Sequence, residues 1–335
     1  MVTRRRVVLG LGAGALAPFA ALAPFATFAQ QRRKVWRIGV LQIGSKDYFV
    51  DAGLQKMFLD GMRERGYVLD TDFVVEGRFA DGEVGRLAAL AAELVRIPVD
   101  LIVTSGTQAN RAAQQATATI PIVTVVEADP VGNGFAVSLA RPGKNITGLS
   151  TLFGDTIVKN LELLAAVVPK LSRIAVLMNP TNQGSKPQLG AVQSAALKAG
   201  ISVLVSDAGN AGEIERAIAA TQRERVQALL VLPDTIYSSQ MELIARSALA
   251  HRLPSSYVQN RYPEVGGLMS YGQDTAGNWR LGAKFIDSIF KGTKPGDLPF
   301  EQPATFQLVL NMKTARTLGL KIPQTILLQA TAVIE

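Results

Sequence analysis

Ser105-Gly106-Thr107 closes an apolar run, Leu101-Ile102-Val103, and opens an Ala/Gln-rich segment. Two hydroxyls and a glycine at that junction suit a phosphate cradle, a nucleophile or the lip of a binding site. The glycine lets a ligand approach the backbone, and a helix start leaves N–H groups unpaired. Similar polar endings follow other apolar runs: Ser45-Lys46-Asp47-Tyr48, Glu127-Ala128-Asp129-Pro130, Asn179-Pro180 and Asp234-Thr235. Each alone reads as turn and cap chemistry. Five at equivalent strand ends describe a polar-walled cleft.

The catalytic options are narrow. The chain has no cysteine, which excludes disulfides, thiolate metal sites and cysteine nucleophiles. Its one histidine, His251, lies in ALAHRLP where a helix should meet the next strand, so it is expected at the periphery. A multi-histidine metal site is impossible and no GxSxG nucleophile elbow occurs. No cofactor is expected. An exported α/β enzyme would have to rely on carboxylate, tyrosine or lysine chemistry, and this is the alternative to a binding function.

The elements that position these residues alternate. Strands are expected at 36–42, 73–78, 101–104, 122–126, 146–149, 174–178, 202–206, 228–232, 255–258 and 267–270, with a late one at 306–310. Helices are expected near 50–65, 83–96, 107–117, 155–167, 185–199, 211–223, 237–250 and 274–290. Such alternation predicts parallel sheets covered on both faces, and so many strands predict two sheets. Segments 98–125 and 225–258 echo each other: Leu101-Ile102-Val103 aligns with Leu229-Leu230-Val231, and Ser105-Gly106-Thr107 with Pro233-Asp234-Thr235. Two similar lobes whose corresponding loops face one another follow from that echo.

The N-terminus reads as an export signal: a basic Arg4-Arg5-Arg6, an Ala/Leu/Phe-rich middle and a small-x-small end at Thr27-Phe28-Ala29. The arginines resemble a twin-arginine signal, with general secretion as the other route. Cleavage after Ala29 removes only those three charges, so the formal +8 becomes +5. That excess forms no basic stripe, and no nucleic-acid partner is expected. GLGAGA at 10–15 mimics a dinucleotide fingerprint, but the first acid is Asp47 and Pro18 and Pro24 interrupt the helix it needs.

Three long phrases carry a resemblance: TSGT with TIPIVTVVEADPVGNGFAVSLARPGKNITGLS, then LPSSYVQNRYPEVGGLMSYGQD, then KGTKPGDLPFEQPATFQLVLNMKTARTLGLKIP. Over about residues 37–334 the chain resembles ABC-transporter substrate-binding proteins of the tryptophan/tyrosine-binding-like family. The resemblance implies a type I periplasmic-binding-protein fold: two doubly wound α/β lobes, joined by three crossovers, closing on a small ligand. It also implies delivery to an inner-membrane ABC permease with its ATPase. Asn145–Gly148, Tyr271–Asp274 and the Pro/Gly-rich 292–303 are the expected crossovers. The first lobe would comprise 35–147 and 274–293, the second 148–273 and 294–335, and the exported protein is expected to be a periplasmic monomer.

The expected ligand is a small polar molecule, an amino acid (an aromatic one included) or a related compound. Asp47, Asp129 and Asp234 would meet an ammonium; Ser105, Gly106 and Thr107 would donate to a carboxylate; Tyr48, Tyr237 and Tyr271 would stack on a side chain. Ser45, Asn179 and Thr235 complete the expected site.

Overall fold

A computed structural model describes residues 34–151, 153–274, 276–303 and 305–335. The export segment at 1–29 and its cleavage site lie outside the described residues. Strand sequences explain why the sheets are covered twice. In β1 (Trp36–Gln42) and β3 (Leu101–Thr104), Ile38, Val40, Leu101 and Val103 enter one core, while Leu41 and Ile102 enter another. Side chains alternate along a strand, so a continuous apolar run needs partners on both faces.

The first sheet runs β2 (Phe73–Phe79), β1, β3, β4 (Ile122–Glu127), β5 (Ile146–Ser150), all parallel. The second contains β6 (Arg173–Met178), β7 (Ser202–Asp207), β8 (Ala228–Val231), β9 (Ser255–Tyr257), β10 (Met269–Gln273), β11 (Phe306–Asn311) and β12 (Ala332–Ile334). Its order is β7-β6-β8-β9-β10-β11-β12. The first five of these repeat the order of the first sheet, which is the structural form of the sequence echo. β11 then joins β10 antiparallel and β12 pairs parallel to β11.

The chain passes between sheets three times. It leaves the first sheet after β5, so Asn145–Gly148 mostly carries the start of that strand. It returns between β10 and the helix Asn278–Phe290, which packs on the helix Leu54–Glu64 and on β4 and β5. It crosses last between that helix and β11. The passes are tied side by side: Ser150 N–H donates to Glu301 O at 2.9 Å, Thr147 Oγ1 to Leu298 O at 2.7 Å, and Gln273 Nε2 to Pro303 O.

Two expected helices are broken. Gly53 (φ 72°) separates Lys46–Asp51 from Leu54–Glu64, and Gln240 separates Thr235–Ser239 from Met241–Ala250. Strand β12 and the helices Met312–Leu318 and Gln324–Leu327 stand where no element was expected. Among the described residues no helix is long and apolar enough to cross a membrane.

Candidate functional site

In each sheet the order reverses beside one strand pair, β1/β3 in the first and β6/β8 in the second. Loops leaving the carboxyl ends of such a pair diverge to opposite faces and open a crevice. Here the two crevices face each other and enclose a narrow cavity of about 70 Å³. One wall holds Gln42 at the end of β1 and Ser105-Gly106-Thr107 after β3; the other holds Asn182, Gly184 and Gln188 after β6, and Pro233-Asp234-Thr235 after β8. Leu54, Val126, Phe153 and Trp279 supply the apolar surface.

The lobes meet closely over this cavity. A Cβ on Gly106 would sit 2.6 Å from Thr235 Oγ1, and one on Gly184 would sit 2.8 Å from Thr107 Oγ1. Gly106 also has φ 89°, which disfavours any L side chain. Gln108 Nε2 donates to Thr181 Oγ1 at 3.3 Å, and Arg261 reaches Ala52 O at 3.5 Å.

Two buried carboxylates stand behind the polar loops. Glu127, at the end of β4, accepts from Thr107 Oγ1 (3.2 Å), Asn110 Nδ2 (2.6 Å), Asn133 Nδ2 (2.8 Å) and Asp129 N–H (3.1 Å). Burial pushes its carboxyl above the ordinary range, against the pull of those donors. Because Thr107 gives its proton to Glu127, the oxygen facing Gly184 offers lone pairs rather than a donor.

Asp234 Oδ2 accepts from Asn182 Nδ2 (2.8 Å) and Asn179 Nδ2 (3.1 Å), and Oδ1 from Ile236 N–H (2.7 Å). Burial raises its pKa too, and the groups around it are amides and backbone N–H groups, not cations. Tyr48, half-buried on the cavity wall, has its phenol pushed up by burial while Arg261 and Ser238 pull it down.

Of the twelve expected residues, the cavity wall brings together Tyr48, Ser105, Gly106, Thr107, Asp234 and Thr235. The others lie elsewhere. Ser45 caps the helix Lys46–Asp51 by accepting from Tyr48 N–H, and Asp47 is exposed in that helix's first turn. Exposed Asp129 accepts from Gly132 N–H within its own turn. Asn179 supports Asp234 from behind and accepts from Thr181. The hydroxyl of Tyr237 donates to Ala208 O in the core, and Tyr271 stacks on Phe306 beside a separate crevice. His251 caps the C-terminus of the helix Met241–Ala250.

Several wall residues carried no expectation. Gln42 obeys the strand-end rule that found the others. Gln188 lies inside a helix, and Phe153 and Trp279 arrive on helices that follow crossovers, so local sequence holds no signal for them.

Residues 37–334 match the model of a family described as ABC transporter substrate binding protein. The chain belongs to that family and has the type I periplasmic-binding-protein fold: it is a substrate-binding protein of an ABC transporter. Among similar proteins is the tyrosine-binding protein of Clostridioides difficile, 25% identical over 267 residues, covering 80% of this chain and 76% of the relative. A solved ABC domain in complex with L-Trp from Streptococcus pneumonia is 28% identical with a TM-score of 0.82, covering 90% of this chain and all of the other. A conserved domain protein from Vibrio cholerae is 27% identical with a TM-score of 0.83, with the same coverage.

Proposed function

We propose that the cavity captures an amino acid with an aromatic side chain. The observation that carries this reading is Asp234: a carboxylate buried in the cavity wall with no cation beside it among the described residues. A buried charge is costly unless paired, and a ligand ammonium supplies the pair. Opposite it, Ser105 and the N-terminal N–H groups of the helix Thr107–Ala116 suit the ligand's carboxylate. Trp279, Phe153, Leu54 and Val126 offer an apolar bed for the side chain. The tyrosine- and tryptophan-binding relatives support the same ligand class.

In this reading the protein is exported, shortened by cleavage after Ala29, and works as a periplasmic monomer. Its first lobe (35–147 and 274–293) and second lobe (148–273 and 294–335) close on the amino acid and present it to an inner-membrane permease driven by a cytoplasmic ATPase. Native mass spectrometry of gently purified protein should show an aromatic amino acid copurifying. Asp234→Asn and Ser105→Ala should each weaken binding of that molecule about ten- to a hundredfold, the loss of a hydrogen bond to a charged group. Parent-like affinity in both variants, with only the melting temperature moved, would assign these residues to capping alone.

A further inference from the structure

Gln188 is held in an unusual state for a buried amide. It lies in the first turn of the helix Ser185–Lys198, only 5% exposed, on the cavity wall. Its Nε2 donates to Gly184 O at 3.0 Å, which fixes which end of the amide is which. Its Oε1 is buried and has no hydrogen-bond partner among the described residues. A buried acceptor left unmatched is penalised, so a group that completes it gains more than an ordinary exposed hydrogen bond would.

Resting on the amino-acid reading above, we infer that Gln188 is a specificity-determining residue whose Oε1 accepts a hydrogen bond from the N–H or O–H of the ligand's side chain. The ligand's ammonium has a better partner in the Asp234 carboxylate, since charge-assisted bonds exceed those to a neutral amide. A neutral acceptor on a partly aromatic wall is matched by a neutral donor on an otherwise apolar group. The indole N–H and the phenol O–H are such donors; a phenyl ring has none. A site built around such a bond rejects the analogue that lacks it far more strongly than a purely apolar pocket does, because the protein acceptor is then buried unpaired.

The test is calorimetric titration with two pairs, L-tyrosine against L-phenylalanine and L-tryptophan against 1-methyl-L-tryptophan. In the pair that binds, the parent protein should prefer the donor-bearing member by about tenfold or more. Gln188→Met keeps an unbranched side chain of similar length but removes the acceptor. It should collapse that preference to below about threefold while retaining affinity for the member without the donor. Equal affinities within the binding pair on the parent overturn the inference without need of any variant. So does a preference that survives in folded Gln188→Met, or a variant that weakens both members alike. If the parent binds neither pair, the aromatic amino-acid reading fails and takes this inference with it.

Discussion

Glu127 is the residue whose surroundings say most about how the site is held. It does not line the cavity, yet it gathers Thr107, Asn110, Asn133 and the Asp129 backbone around one buried carboxylate. That fixes the start of the helix Thr107–Ala116 against the end of β4, and it decides the hydrogen-bonding sense of Thr107. Burial raises the Glu127 pKa above its ordinary value of 4.5. The folded state therefore keeps a proton that the unfolded chain releases. The stability tied to that proton is full below the ordinary value and is lost as pH rises through the folded pKa. Melting temperature followed from acid toward neutral pH should carry this downward contribution in the parent and lose it in Glu127→Gln. A variant curve parallel to the parent's throughout would show that Glu127 does not titrate above the ordinary range.

At the scale of elements, the site is made of loop ends that only two lobes together can bring within reach. Gly184 shows how tight that approach is. Its backbone, φ −64° and ψ −18°, accepts any residue, and a Cβ there would meet Thr107 Oγ1 of the facing lobe at 2.8 Å. Gly184→Ala should therefore leave the melting temperature of the unliganded protein unchanged or slightly raised, since glycine is replaced at a compatible conformation. Ligand affinity should fall by roughly tenfold, the cost of forcing the closed lobes apart. Unchanged affinity would mean that closure does not bring these two loops together. Sequence patterning reached most of the strands from β1 to β11 because they are short apolar runs bounded by polar residues, whereas β9, Ser255-Ser256-Tyr257, shows only as a Pro-led segment after a helix. It reached Ser105–Thr107 and Asp234-Thr235 because strand ends in a parallel sheet are where ligands meet helix starts. β12 is three largely exposed residues, too short and too wet to show a pattern. Gln188 and Trp279 escaped because their place in the wall is set by packing between distant segments. Tyr237 and Asp129 were drawn in by the same strand-end rule. There the rule places the backbone, while the side chain turns to the core or to solvent.

At the scale of the whole molecule, two sheets of matching order face each other across a cavity, with three tied crossovers at one side. Ligand that touches both walls binds the closed arrangement better than the open one and shifts the balance toward it. The chain contains two tryptophans, and they are placed to separate site from scaffold. Trp36 stacks on Phe290 at 4.0 Å, away from the cavity, whereas Trp279 is buried in the cavity wall. In a Trp36→Phe protein, emission excited at the red edge of indole absorption comes from Trp279 alone. Titration of that protein with L-tyrosine, an aromatic amino acid that does not emit under those conditions, should give a saturable change in Trp279 emission with one ligand per chain. L-Leucine at the same concentrations should give none. Saturable binding of L-tyrosine that leaves Trp279 emission untouched would contradict the placement of an aromatic amino acid between the lobes.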